Sequence, residues 1–260
     1  MRLRKYHGLG NDFLILFDMD GAQPVDAAIA AAICDRHRGV GADGLIRVTA
    51  GEAGSDVTME LRNADGSTAE ISGNGLRCVV RAVMDAGLVA GPGLVVTTGA
   101  GDRRATMGVD GLVSVEMGVV PVADQQGQWD DLAPDQARWS GFADAGNPHA
   151  VFGVDDLDKA DIVADGRAWD RQYPGGINVE YVVVGPQPDT LSMRVWERGV
   201  GETLACGSGA CAAAAVARHR HLVGERVTVR QPGGDLLVDL SGDVVVLTGP
   251  AEFVCRVETV

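Results

Sequence analysis

Short apolar and alternating runs dominate the start of the chain. Phe13 to Phe17 reads FLILF and Val57 to Leu61 reads VTMEL, each bounded by Gly, Asn or Asp, which is the pattern of short strands. The period then changes. From Gly73 to Ala86 the residues Leu76, Val79, Val80 and Val83 recur at helical spacing behind Ser72, and Gly87 is placed to end the helix. Strand patterns return at Leu94 to Thr98 and Leu112 to Met117. The second half predicts strands at Val179 to Val184 and Leu191 to Trp196, then an Ala-rich helix from about Gly207 to Arg220. Three closing strands, Arg226 to Arg230, Asp235 to Leu240 and Val244 to Leu247, are separated by the turn signals QPGGD and SGD.

This order repeats at the level of single residues. Gly10-Asn11-Asp12-Phe13-Leu14-Ile15 resembles Gly146-Asn147-Pro148-His149-Ala150-Val151, and Ser72-Gly73-Asn74-Gly75 resembles Cys206-Gly207-Ser208-Gly209. The two offsets are 136 and 134 residues. Two motifs in the same order at nearly the same separation imply a duplicated α+β unit, each copy carrying one Asn-bearing loop and one Gly-rich helix start.

Composition narrows the functional class. With 260 residues, 46% hydrophobic and 22% charged, the chain can bury a sizeable core without disulfides. The formal charge of −14 is spread along it, and no Lys/Arg block is present to neutralise a row of phosphates, so nucleic acid and anionic membrane are poor partners. No run of about 18 apolar residues occurs. The opening MRLRKYHGLGNDF lacks an apolar stretch with a small-residue cleavage site, a pattern read as cytoplasmic. Cys34, Cys78, Cys206, Cys211 and Cys255 are odd in number and without metal-ligand spacing, which predicts free thiols.

The paired turns carry the candidate chemistry. A short residue followed by Gly-x-Gly and a helix exposes unpaired backbone N–H groups at the positive end of the helix dipole, an arrangement that attracts anions. If the two halves face each other, a carboxylate held by both helix starts would be flanked by Ser72 and Cys206. One acid/base on either side of an α-carbon is what racemisation needs, since one group removes the proton and the other returns it to the opposite face. A free thiol has a pKa of about 8.5, and a helix start is expected to lower that of Cys206 toward neutrality.

The segments KYHGLGNDF, RHRGVGADGL, RNADGSTAEISGNGLRC, GNPHAV, INVEYV and WERGVGETLACGSGACAAA resemble, in order, the successive signatures of the diaminopimelate epimerase family. They cover nearly the whole chain, and the last holds Glu197, Arg198, Glu202, Thr203 and Cys206 in the family's register. The resemblance implies an α+β fold of two similar lobes, each a mixed sheet wrapped around a central helix. It also implies a cofactor-independent active site in the cleft between them. The N-terminal lobe would span residues 1–118, completed by a last strand at about 252–260, and the C-terminal lobe 119–251. Carried over by position, Asn11, Asn63, Asn147 and Asn178 match substrate-binding asparagines. Arg198 matches the arginine that holds a distal carboxylate, with Glu197 beside it, and Gly73, Asn74, Gly207 and Ser208 match the two helix starts around the reacting carboxylate. The implied activity is epimerisation of LL-2,6-diaminoheptanedioate to the meso form, for lysine and peptidoglycan synthesis. The implied partner is a small amino acid, and a homodimer is left open.

One position departs. Where the family has a cysteine in a Cys-Gly-Asn-Gly turn, this chain has Ser72, a far weaker acid with no His or Lys in its motif to activate it. Cys78 lies six residues further along the helix and is expected to point into the packing. Ser72 fits either an engineered Cys→Ser variant or natural divergence. It keeps two further functions open: a one-cysteine lyase or racemase of another amino acid, and a catalytically silent diaminopimelate-binding homologue.

Other signals carry less. Gly39-Val40-Gly41-Ala42-Asp43-Gly44 satisfies GxGxxG but precedes strand-like residues where a dinucleotide site needs a helix. The only lysines are Lys5 and Lys159, the latter in the acidic DDLDKAD, which argues against a Schiff base. His149 reads as structural, and His219 and His221 as surface residues at a helix end.

Overall fold

The computed structural model describes residues 1–52, 54–69, 71–123 and 133–259. Among these are four α-helices: α1 (Ala27–Cys34), α2 (Gly73–Asp85), α3 (Ile162–Gln172) and α4 (Gly207–His219). The chain divides into two compact units, Met1–Glu116 with Thr248–Val260, and Met117–Leu247.

In the first unit, strand Arg2–Gly8 pairs antiparallel with both Asn11–Phe17 and Glu252–Glu258. Asn11–Phe17 runs parallel to Gly44–Ala50, which is antiparallel to Val57–Asn63. Val57–Asn63 then runs parallel to Gly93–Thr98, which turns back antiparallel into Gly101–Met107. Helix α2 packs against Arg2–Gly8, Asn11–Phe17 and Gly101–Met107. Its Leu76, Cys78, Val79, Val80, Ala82 and Val83 are all fully buried, so this is a helix surrounded by sheet, not one lying on it. The predicted stop holds: the residue after the cap, Gly87, takes φ +66°, a left-handed conformation open to glycine without strain.

The second unit repeats the succession. Trp139–Asp144 and Pro148–Gly153 form an antiparallel pair, and Pro148–Gly153 runs parallel to Asn178–Val184. Asn178–Val184 is antiparallel to Thr190–Glu197, which is parallel to Arg226–Gln231, itself antiparallel to Gly234–Asp239. Antiparallel, parallel, antiparallel, parallel, antiparallel in both units is the duplicated α+β architecture that the repeated motifs imply. Helix α4 is buried along nearly its whole length, and its alanines allow close approach. A Cβ on Gly141 of the facing strand would stand 2.5 Å from Val216 Cγ1, so the strand position opposite that valine has room only for glycine. Amphipathic α3 covers the outside of the same sheet, with Ile162 and Trp169 in a core with Phe152, Tyr181 and Trp196.

The periodicity reading left several elements unassigned: α1, α3, and the strands Arg2–Gly8, Trp139–Asp144 and Pro148–Gly153. Helix α1 (AAIAAAIC) has no polar face to set a period, and α3 is interrupted by Gly166, where the Trp196 ring packs against the helix backbone. The GxGxxG stretch ends in strand Gly44–Ala50, not in a helix start.

Candidate active site

In the first unit, Ser72 has extended backbone geometry (φ −138°, ψ 119°) and caps α2, its Oγ accepting from the Gly75 N–H at 3.0 Å. A Cβ on Gly75 would sit 3.2 Å from both Ile46 Cδ1 and Ser72 Cβ, so a side chain there would crowd the cap. Gly73 and Asn74 follow the cap and are buried. Asn74 Nδ2 donates to Asn11 Oδ1 at 3.1 Å, while Asn74 Oδ1 accepts from the buried Arg77 guanidinium at 2.7 Å. Asn11 in turn donates to Asp43 Oδ2 at 2.8 Å. Asn63 ends the strand whose register places it opposite Gly44, and its Nδ2 donates to Ser67 Oγ. Adjacent strand ends thus gather Asn11, Asp43 and Asn63, and a hydrogen bond ties Asn11 to the α2 start. Cys78 is fully buried, and burial pushes its thiol up to about 12, in keeping with a packing role.

The second unit builds the counterpart around Cys206. Its backbone is extended (φ −126°, ψ 120°), and its Sγ accepts from the Gly209 N–H at 3.3 Å and lies 3.4 Å from Ser208 Oγ. Gln231 Oε1 accepts the Cys206 backbone N–H at 2.7 Å. Asn178 is nearly buried: its Nδ2 donates to the Pro148 carbonyl and its Oδ1 accepts the Arg198 backbone N–H, both at 3.0 Å. Asn147 Oδ1 faces His149 Nε2 at 2.9 Å, and His149 Nδ1 lies 2.6 Å from Glu180 Oε1. Both ring nitrogens are engaged inside the protein, as a structural histidine requires.

The electrostatics of Cys206 correct one expectation. Burial, then the carboxylates of Glu197 and Glu180, push its thiol well above the ordinary range, and the Ser208 and Gly209 hydrogen bonds only partly oppose this. A helix start favours a thiolate, but desolvation and two nearby negative charges outweigh it, so Cys206 rests as a thiol. Burial likewise pushes the Glu197 carboxyl up, against hydrogen bonds from Thr203 and Cys206 and the charge of His149, with Glu180 adding to the rise. Each group's negative charge thus favours the protonated form of the other.

Arg198 is exposed and lines a depression of about 520 Å³ with Asp170, Tyr173, Gly175 and Gly176. One guanidinium N–H donates to the Gly175 carbonyl at 3.3 Å. Gly176 has φ +75°, and a Cβ there would lie 2.8 Å from the Arg198 side chain. Sequence reasoning did not single out Glu180 or Gln231. The signal for the first was present: a carboxylate between Val179 and the run YVVV of a buried strand needs a buried partner.

The family model described as diaminopimelate epimerase matches residues 3–122 and 141–254. The chain belongs to the diaminopimelate epimerase family. Curated relatives named diaminopimelate epimerase align over nearly their whole length. The one from Cyanothece sp. is 38% identical, covering 98% of each chain. The one from Thermobifida fusca is 40% identical, covering 98% of this chain and 97% of its own. Among solved structures, a Bacillus anthracis phenazine biosynthesis protein of the PhzF family superposes with a TM-score of 0.77 at 16% identity, covering 100% and 99% of the two chains. A hydroxyproline epimerase from Agrobacterium vitis, solved with trans-4-hydroxy-L-proline, superposes with a TM-score of 0.74 at 16% identity, covering 98% and 91%. At such identities the likeness shows the fold. Within the diaminopimelate epimerase family, the match takes in both helix starts, the four asparagines and Arg198.

Proposed function

We propose that this protein binds LL-2,6-diaminoheptanedioate and inverts its α-carbon to the meso form without a cofactor, serving lysine and peptidoglycan synthesis. Cys206 acts as one acid/base, and position 72 is the place of the other. The observation that carries this reading is the match between two half-sites. Ser72 and Cys206 both cap a buried helix from an extended backbone, and both accept the N–H three residues on. Gly73 and Asn74 in one unit, and Gly207 and Ser208 in the other, present the next backbone N–H groups to the reacting carboxylate. Asn11, Asn63, Asn147 and Asn178 supply amides able to serve ammonium and carboxylate groups. Arg198, with Glu197 beside it in sequence, binds the distal carboxylate.

Glu197 receives the proton that Cys206 gives up to become a base, and it returns that proton when Cys206 acts as an acid. A neutral serine hydroxyl cannot do this at a useful rate unaided, so the chain as written removes an α-proton on one face only. Ser72 also favours a second reading, a homologue that binds diaminopimelate but does not turn it over.

Exchange of the α-proton in deuterated water, followed separately for each stereoisomer, tests both. One-sided exchange that becomes epimerisation, faster by orders of magnitude, in Ser72→Cys is the expected result. Binding without exchange in either form supports the silent homologue. Equal exchange of both isomers by the parent removes the placement of the two residues on opposite faces.

A further inference from the structure

His149 sits between Asn147 and Glu180 with no exposed surface of its own, and Glu180 is equally buried. The parallel pairing of Pro148–Gly153 with Asn178–Val184 brings the two strands together. Nδ1 stands 2.6 Å from Glu180 Oε1, a separation that requires a proton between them. Nε2 stands 2.9 Å from Asn147 Oδ1. An amide oxygen only accepts, so Nε2 must carry a proton as well. Histidine and glutamate together hold two protons and no net charge, whether the shared one rests on the ring or on the carboxyl. That is the favourable state for a fully buried pair, and it suits Glu180 Oε2, which has no hydrogen-bond partner among the described residues.

We propose that Glu180 and His149 are positioning residues for the candidate site: by keeping a proton on Nε2 they hold the Asn147 oxygen inward, so that its amino group is the face offered to substrate and selects a carboxylate oxygen over an ammonium group. Were Nε2 bare, the amide would turn over to donate to it, and the outward group would be an acceptor. The turn that carries Asn147 is itself anchored. The Gly146 N–H donates to Asp144 Oδ1 at 2.9 Å and the Ala145 N–H to the Asn147 carbonyl at 3.1 Å, so the ring, not the loop, decides which way the side-chain amide faces. The groups that face the pair from neighbouring elements are Glu197 at the end of Thr190–Glu197 and the start of α4. There a Cβ on Gly209 would lie 2.6 Å from Glu180 Oε1.

This inference rests on Asn147 being a substrate contact, but its first test does not depend on turnover. Nitrogen NMR of ring-labelled protein at neutral pH should show His149 Nε2 as an N–H nitrogen; a bare, pyridine-type Nε2 overturns the proposal. The second test is calorimetric titration with LL-2,6-diaminoheptanedioate. Asn147→Asp accepts from Nε2 but presents an oxygen outward, and should weaken binding at least about tenfold. Glu180→Gln can still donate to Nδ1 and leave Nε2 protonated, so its affinity should stay within about threefold of the parent, while Glu180→Leu, which frees the ring to rotate, loses roughly tenfold. Undiminished binding by Asn147→Asp, or equal affinities for the two Glu180 variants, overturns the proposal. A parent that fails to bind the ligand refutes the proposed function instead, and leaves the NMR result to decide this inference.

Discussion

Replacing Glu197 with Gln should make Cys206 a more reactive thiol. The Glu197 carboxyl accepts from Thr203 Oγ1, and its charge is one of the causes that raise the Cys206 thiol. While the carboxylate keeps its charge, ionising the thiol places a second negative charge a few ångströms away. At about 4 Å and an effective dielectric constant of about 20, the repulsion is about 4 kcal/mol. Each 1.4 kcal/mol or so is a factor of ten, which sets a ceiling of roughly a thousandfold on the gain in thiolate population. The realised gain is smaller, roughly ten- to a hundredfold, because in the parent Glu197 takes up part of the proton that the thiol releases. The assay is the rate of iodoacetamide labelling of Cys206, read by peptide mass spectrometry between about pH 6 and 10, with buried Cys34, Cys78 and Cys211 as internal controls. The thiol sits above its ordinary range, so the parent's rate should still be climbing at the alkaline end, and the variant's should level off earlier. Labelling of a folded Glu197→Gln protein no faster than the parent at about pH 8 would refute the claim that this carboxylate holds the proton on Cys206.

Three further outcomes are expected, the first from the proposed function and the other two from the geometry. Arg198→Ala should weaken LL-2,6-diaminoheptanedioate binding by roughly a hundredfold in calorimetry, and Arg198→Lys should recover only part of it, because an ammonium cannot make the paired contacts of a guanidinium. Gly166→Ala should lower stability by about 3 kcal/mol or more in urea denaturation, since its Cβ would fall 2.2 Å from the Trp196 ring in a packed core. Asp12 is held at about 2: burial alone would raise it, but Arg36 and Lys5 outweigh that. Its folded value is depressed below the unfolded value of about 3.9, so its contribution of roughly 2 kcal/mol is complete above that pH and lost as pH falls through about 2. Asp12→Asn should therefore destabilise the protein near neutrality and much less near pH 2, as denaturation curves at the two pH values will show.

Much of this protein was legible in its residues. The period change behind Ser72 and again behind Cys206 marked two helices correctly because their apolar positions and caps are local signals. The repeated Asn and Gly motifs marked the duplication because two copies of one unit must reuse the same turns. The candidate site asparagines and Arg198 rest instead on the resemblance to the family, position by position, because no local period or turn singles them out.

What local sequence could not determine was the environment that those residues meet. The helix start alone pointed to an acidic Cys206; the fold buries it and sets Glu197 and Glu180 against it, and so reverses the direction. Neither carboxylate is a sequence neighbour of Cys206. Both reach it from the pairing of Asn178–Val184 with Thr190–Glu197, whose register fixes which side chains share a face. His149 and Glu180 are 31 residues apart and meet only because their strands run side by side. Charge interactions act through space and strengthen as water is excluded, whereas the sequence lists neighbours along the chain. The tertiary structure therefore decided the proton affinities of the candidate groups and what surrounds them, and the sequence decided which groups would be present.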